Sequence, residues 1–293
     1  MNWLSGSKQR QTGRFNWPII ASRTTMLLAS LLLAGCGALG LAYNQLPTLS
    51  YWWLDDYFDF NSTQSAQVRN GLDAVAVWHK QTELEPYGVL LDQASALAAS
   101  SFTAAQACRW VDSATQRADA FVAQAAPLAV PAMATLTPVQ LEHYNAYIAE
   151  RNAKWQDEQL TAAPQERLAF RLERSLKQLE RFYGNLTTAQ ERLVEQRLSS
   201  SSYEASEAFD RRLANQAKLL DWLKRVRGAG PDSFDGYAQE LRGVWRDSMQ
   251  WPQAKRLQWC QQVVDFHTIM TPAQRQTASE TLAAYARDFR ALR

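Results

Sequence analysis

Residues 164–183, PQERLAFRLERSLKQLERFY, carry the pattern that decides the fold class. Large apolar side chains recur there at steps of three and four residues, with Glu and Arg between them: Leu168, Leu172, Leu176, Leu179 and Tyr183. Side chains at this spacing share one face of an α-helix, which turns once in about 3.6 residues. The stretch therefore predicts an amphipathic helix that packs against other helices.

The same spacing recurs on both sides of this stretch and over most of the chain after residue 60. No run alternates apolar and polar residues with β-branched side chains, the pattern typical of a strand. Clusters of Gly, Pro and Ser predict breaks at 127–138, 184–185, 199–202 and 228–231. We expect an all-α fold, an elongated antiparallel bundle of roughly eight to ten helices, in which the turn at 228–231 is the candidate internal boundary.

The first 35 residues predict an export signal. They contain no acidic residue, an apolar run from Met26 to Leu33, and four basic residues: Lys8, Arg10, Arg14 and Arg23. The run ends in Leu33-Ala34-Gly35-Cys36, which resembles the lipobox of bacterial lipoproteins, where the signal is removed and the cysteine is acylated. This assigns 1–35 to a signal peptide, Cys36 to lipidation, 36–50 to a tether and 51–293 to a helical domain. These segments would form a lipidated N-terminal tether in front of the bundle.

Two further features bear on the location. Gly37, rather than Asp, follows the cysteine, which by the sorting rule of Gram-negative lipoproteins favours the outer membrane. The alternative that stays open is an uncleaved anchor, because residues 24–43 are about 20 largely apolar residues, enough to span a bilayer.

The net charge belongs to the predicted signal. The whole chain has a formal charge of +2, and removing residues 1–35 leaves 27 basic against 29 acidic residues. A slightly acidic mature chain gives no electrostatic reason to expect nucleic acid as a partner.

The cysteines predict one disulfide. With Cys36 acylated, Cys108 and Cys260 remain as a pair in an oxidising compartment. Both fall on the apolar face of a helical segment, so the alternative is two separate buried thiols.

An aromatic segment opens the predicted helical domain. Residues 51–60, YWWLDDYFDF, hold six aromatic and three acidic side chains. We expect the rings to cover one end of the core and the acids to face water. The alternative is that the rings lie in the headgroup layer of the membrane, where amphipathic rings are favoured.

One short pattern is repeated, an apolar residue, Thr, two further residues and Gln. Its copies begin at Leu136, Leu186 and Met270, with a looser copy at Phe102. Thr at the N-cap and Gln at the third helical position form a capping box, in which each side chain bonds the other residue's backbone N–H. The pattern predicts helix starts at Thr103/Gln106, Thr137/Gln140, Thr187/Gln190 and Thr271/Gln274.

These pentapeptides resemble the LTxxQ motif of the periplasmic chaperone and envelope-stress family that includes Spy and CpxP. That resemblance implies an all-helical protein that holds unfolded clients without ATP. The simpler interpretation is that the four motifs are helix caps and nothing more.

A second resemblance extends from the lipobox to about residue 90, to an uncharacterised family of proteobacterial lipoproteins known as a domain of unknown function. The residues that carry it are Tyr43-Asn44, Leu46-Pro47, Trp53-Leu54-Asp55-Asp56-Tyr57, Trp78-His79 and Glu83-Leu84. Glu85 here separates Glu-Leu from Pro86, whereas the family pattern places the proline directly after. The resemblance implies an outer-membrane lipoprotein with a helical body and implies no activity.

No catalytic or metal-binding pattern is found in the sequence. The three histidines, His79, His143 and His267, lie far apart, and His267 fits a core position. We expect a non-enzymatic outer-membrane lipoprotein, facing the periplasm, that binds a protein partner or unfolded clients and needs no cofactor. The alternative is a cell-envelope enzyme, for example one acting on peptidoglycan, that uses Asp55, Asp56 and His79.

Overall fold

Short connections join a series of helices from Leu46 to Ala291. The computed structural model describes residues 40, 42–201 and 203–293. It contains α1 (Leu46–Phe58), α2 (Ser62–Thr82), α3 (Leu84–Ala98), α4 (Ala104–Ala134), α5 (Pro138–Gln156), α6 (Pro164–Tyr183), α7 (Thr188–Ser199), α8 (Ala205–Val226), α9 (Phe234–Met249), α10 (Gln253–Thr268) and α11 (Pro272–Ala291). A π-helical turn (Asp157–Thr161) follows α5, and a 3₁₀ turn (Pro231–Ser233) precedes α9. No strand occurs in the described residues, so the predicted all-α fold is confirmed.

The first helix begins earlier than the sequence indicated. Helix α1 starts at Leu46, inside the segment assigned to the tether, and Pro47 lies in its first turn, where a missing N–H costs nothing. Its inner side chains Tyr51 and Phe58 are buried in the core. Residues 46–50 therefore belong to the helical body, because the same helix places Tyr51 in that core.

The break predicted over 127–138 is present only at the end of that range, where residues 135–137 separate α4 from α5. Helix α4 continues through Pro127 and Pro131 as far as Ala134. Proline inside a helix removes a backbone hydrogen bond and usually bends or ends the helix. Here the last turns of α4 are held by burial, since Ala126 and Val130 are at most 1% exposed. Tertiary packing compensates for the lost hydrogen bonds.

One core joins helices on both sides of the 228–231 turn. It contains Tyr51, Phe58, Val130, Met133, Tyr144, Trp222, Val226 and Ala238, among others. The Gly228 backbone N–H donates a hydrogen bond to the Ala134 carbonyl at 2.8 Å. Gly228 adopts a φ of +80°, which only glycine takes without strain. This turn is therefore a tight corner within one compact unit, residues 44–293, and no domain boundary.

Helices α3 and α11 pack antiparallel along most of their lengths. Ser95 Oγ donates to the Ser279 carbonyl at 2.8 Å near one end of the pair. At the other end, the Arg290 guanidinium bonds Glu85 at 3.1 Å and Asp92 at 2.6 Å. Gly88 allows this approach, because a Cβ there would lie 3.0 Å from Arg290 Nε. The pair brings an early helix against the last described one.

Candidate functional site

The repeated motif begins four helices in the structure, as the capping geometry requires. Thr103, Thr137, Thr187 and Thr271 are the N-cap residues of α4, α5, α7 and α11, and each forms a reciprocal capping box with the Gln three residues later. In the box at Thr137, Gln140 Oε1 accepts from Thr137 N at 2.9 Å, and Gln140 N donates to Thr137 Oγ1 at 3.2 Å. Each box satisfies two backbone N–H groups that the helix leaves open.

A fifth box was missed in the sequence because its cap is not threonine. Phe60-Asn61-Ser62-Thr63-Gln64 has the same apolar–cap–x–x–Gln order. Asn61 caps α2 with its side-chain oxygen, which accepts from Gln64 N at 3.0 Å. Asparagine is as good an N-cap residue as threonine. A search for any capping residue in place of Thr would have found it.

Four of the five boxes are joined in two pairs through their glutamines. Gln64 Nε2 donates to Gln140 Oε1 at 3.1 Å, and Gln140 Nε2 donates back to Gln64 Oε1 at 2.7 Å. Gln190 and Gln274 exchange the same two bonds at 2.7 and 3.1 Å. The box at Thr103 differs, since Gln106 is only half-buried and bonds no second motif in the described chain.

Each paired glutamine also binds the backbone just before its partner's cap. The acceptors lie two residues ahead of each cap: Thr135 and Asp59 in one pair, Asn185 and Ile269 in the other. The side-chain amide is thereby fully used, because its oxygen accepts from its own cap and its nitrogen donates twice across the pair. The arrangement fixes two helix starts against each other, and the neutral amides in it provide no acid–base chemistry.

A groove lies between α8 and α10. Its volume is about 680 Å³, and residues of the connections before each of these helices also line it. Three aromatic side chains line it while remaining 44–45% exposed: Tyr203, Trp251 and Trp259. Large apolar surface left in contact with water in a concave site is typical of binding surfaces.

The charges around the groove balance. Three basic residues, Arg197, Arg211 and Lys255, and three acidic residues, Glu204, Glu207 and Asp265, line it. Lys255 forms an ion pair with Glu207. The Arg211 guanidinium carbon lies 3.7 Å from the centre of the Trp251 ring, a cation–π contact that holds this ring at the rim. The groove therefore offers aromatic surface without a strong field of either sign.

The residues of the enzymatic alternative do not converge. Asp55 lies beside the start of α2, and its Oδ1 accepts a hydrogen bond from Phe60 N at 2.9 Å. His79 lies in the last turn of α2. The 21 residues of this helix span about 30 Å at about 1.5 Å per residue. Asp55 and Asp56 are therefore far from His79, and none of the three lines the groove.

His267 is a buried titratable side chain whose ring is held by hydrogen bonds on both sides. His267 is 1% exposed, and its Nε2 lies 2.9 Å from the Ser100 carbonyl, so this nitrogen carries the proton. Its Nδ1 accepts from the Tyr183 hydroxyl at 2.9 Å, and burial lowers the pKa of His267. The predicted core position of His267 thus carries a neutral, fully bonded ring. Within the described residues, no three His, Cys, Asp or Glu side chains are grouped as a metal site.

Glu83 is a buried carboxyl between α2 and α3. The residue is 4% exposed, its Oε1 lies 3.6 Å from Arg117 Nη1, and its Oε2 has no hydrogen-bond partner. Burial raises the pKa of Glu83, and the Arg117 guanidinium opposes this shift. Glu83 does not line the groove, and no catalytic role is assigned to it.

The predicted disulfide is present. Cys108 of α4 and Cys260 of α10 are bonded, with a Cα–Cα distance of 5.6 Å, and both are buried. Arg256 and Asp112 form an ion pair one turn further along the same two helices. The bond thereby fixes α10, one wall of the groove, to the long helix α4.

The predicted signal and Cys36 lie outside the described residues. Within the described part of the chain, none of the helices combines the length and apolar character needed to cross a membrane.

Comparison with known proteins identifies a family. A model of a family of unknown function, DUF6279, matches residues 56–256, more than half of the chain. No curated protein and no solved structure matches it. The chain therefore belongs to the DUF6279 family of unknown function.

Proposed function

We propose that this chain is an outer-membrane lipoprotein, anchored through Cys36, whose helical body faces the periplasm and binds protein segments in the groove between α8 and α10. The groove with its three exposed aromatic side chains is the observation that carries the proposal. Holding unfolded segments, in the manner that the LTxxQ resemblance implies, is the form of binding that we propose. The function needs no cofactor and no catalytic residue.

The groove suits extended, unfolded segments. Tyr203, Trp251 and Trp259 supply apolar surface to cover exposed side chains of a client, and the hydrophobic effect favours such contacts without directional demands. The balanced rim charges select neither acidic nor basic clients. Binding should therefore weaken little as the salt concentration rises.

The paired capping boxes have a supporting role in this proposal. Their glutamines do not line the groove, and their amide groups are used within the pairs. A Thr137→Ala variant should lower the melting temperature and leave holding unchanged below that temperature, because an N-cap contributes about 1 kcal/mol of stability.

Holding is tested by light scattering of a heat- or denaturant-released client with a stoichiometric amount of residues 37–293 and no nucleotide. We expect the body to slow aggregation of several unrelated clients. Trp259→Ala should remove at least half of this effect. The matched control is Trp52→Ala, since Trp52 is also an exposed tryptophan, 57% against 45%, and lies on α1 outside the groove. Equal holding by both variants would refute the role of the groove.

The anchor is tested separately by intact mass. The membrane form should lack residues 1–35 and carry acyl groups on Cys36, since several chains give stable anchoring where one is marginal. A Cys36→Ser protein that still fractionates with membranes at full mass would instead support the uncleaved anchor.

A further inference from the structure

Helix α1 presents an apolar face to solvent. Leu46, Leu49, Trp52 and Trp53, which we call the α1 face, are 49–58% exposed. At about 100° per residue, these four side chains lie within about 120° of one another around the helix axis. Exposed apolar residues grouped in this way mark a contact surface, whereas scattered ones need no explanation.

The opposite side of α1 is already packed, so the face cannot turn inward. The Tyr51 hydroxyl lies 2.9 Å from Ser65 Oγ of α2, and the Phe58 ring stacks on Tyr144 of α5 at 5.4 Å between centroids. Both Tyr51 and Phe58 are less than 9% exposed. The helix is thereby held in one rotation, with the α1 face outward.

Polarity changes along the helix. In the first two turns the α1 face consists of Leu and Trp, with the exposed Thr48 beside it, and the acids Asp55, Asp56 and Asp59 follow in the last turn and at the C-cap. Such a helix can enter an apolar layer with its N-terminal half while its C-terminal end stays in water. The aromatic segment is therefore divided, with Tyr51, Phe58 and Phe60 in the core and two tryptophans outside it.

A cation borders the α1 face. The Arg69 guanidinium carbon lies 3.4 Å from the centre of the Tyr51 ring and 5.7 Å from that of Trp52. Arg69 forms no ion pair within the described residues. A guanidinium beside an exposed tryptophan matches a phosphate headgroup above acyl chains, because Trp is favoured at the membrane interface and Arg binds phosphate well.

We propose that the α1 face lies in the headgroup layer of the membrane to which Cys36 is anchored, with Arg69 on a lipid phosphate. This inference rests on the proposed anchor. Leu46 follows Cys36 by ten positions, which allows at most about 35 Å of chain, so the face stays within reach of the bilayer. Docking then holds the helical body against the membrane in one orientation.

The test uses the full chain with a single added cysteine. Acylation occupies Cys36, and the disulfide occupies Cys108 and Cys260. Leu49→Cys is the probe, and Leu193→Cys on α7, an exposed leucine away from α1, is the matched control. In isolated, fragmented membranes, a membrane-impermeant maleimide should modify residue 49 at least tenfold more slowly than residue 193. In detergent the two rates should agree.

A second measurement identifies what covers the face. A fluorophore on residue 49 of the purified lipidated protein should be quenched in vesicles of phosphatidylethanolamine and phosphatidylglycerol with brominated acyl chains, and one on residue 193 should not. Protection of residue 49 without quenching would mean that a protein covers the face and would overturn the proposal. Equal labelling of the two residues in a membrane-bound protein would overturn the docking alone. Recovery of the full-length protein in the soluble fraction, rather than with membranes, would overturn both the anchor and the docking.

Discussion

Gln190 and Gln274 donate hydrogen bonds to each other, at 2.7 and 3.1 Å, from the first turns of two helices that are 84 residues apart in sequence. Gln190 also donates to the Ile269 carbonyl at 2.9 Å, and Gln274 to that of Asn185 at 2.9 Å. The motif is thus a local cap and a long-range contact at once. The two roles can be separated by mutation.

We predict that Gln190→Glu lowers the free energy of unfolding by about 2 kcal/mol. Glutamate keeps the capping box, since its carboxylate still accepts from the Thr187 N–H. It loses both donors, leaves the Ile269 carbonyl unpaired and places a charge against Gln274 Oε1. The matched control is Gln106→Glu in the unpaired box, where we expect a change within about 0.5 kcal/mol. Urea unfolding of both variants measures the difference, and equal effects would show that pairing adds nothing to capping.

Loss of the Cys108–Cys260 disulfide should lower the free energy of unfolding by about 2–4 kcal/mol, because it closes a long loop in the unfolded chain. The two cysteines are 152 residues apart. The comparison is between the wild type and the Cys108→Ala/Cys260→Ala double variant by denaturant unfolding. Maleimide modification of both thiols in non-reduced, denatured protein from the native host would show that the bond is absent there.

Stability should fall as the pH drops below about 6.5, the usual histidine pKa in an unfolded chain. Burial lowers the pKa of His267 in the folded protein, and also that of His79. The unfolded chain then binds more protons, so the stabilisation is complete above about pH 6.5 and is lost as the pH falls through the folded pKa. In His267→Gln, which can keep both hydrogen bonds, unfolding free energies at pH 7.5, 6.5 and 5.5 should vary less. An unchanged slope would contradict this assignment.

Glu83→Gln should raise the free energy of unfolding at pH 7 by about 1 kcal/mol, because burial disfavours the charged carboxylate and the Arg117 side chain, 34% exposed, can be solvated without it. The raised pKa of Glu83 means that the charged carboxylate is less favourable in the folded protein than in the unfolded chain. This cost is present at pH values above the folded pKa. The advantage of the variant should therefore shrink as the pH falls and Glu83 becomes protonated. Thermal melts at pH 7 and pH 4 measure both values, and a variant less stable than wild type at pH 7 would contradict the prediction.

Local sequence signals predicted the local structure well. Helix starts at Thr103, Thr137, Thr187 and Thr271 follow from capping chemistry that acts within four residues. The ends of α6 and α8 follow from Gly184 and Gly228, whose positive φ angles end a helix. The break predicted over 127–138 begins only after Ala134, because burial of the surrounding turns offsets the local cost of Pro127, which no local pattern records.

Contacts between distant segments could not be predicted in the same way. Nothing in Gln64 or Gln140 alone indicates that they meet, since each also satisfies a box of its own. The groove was missed because Tyr203, Trp251 and Trp259 come from connections and one helix that only the fold brings together. The segment 51–60 was interpreted as one unit, whereas the rotation of α1 divides its rings between core and surface.

The antiparallel pairing of α3 with α11 bears on how this protein can be shortened. The DUF6279 match ends at residue 256, before Cys260 and before all of α11. A protein cut at that point would lack one half of the disulfide, the partner of Gln190, and the helix that covers α3 along Ser95 and Gly88. The smallest autonomous folding unit therefore extends beyond the matched segment, and truncation mapping that stops there would yield an incomplete, aggregation-prone core.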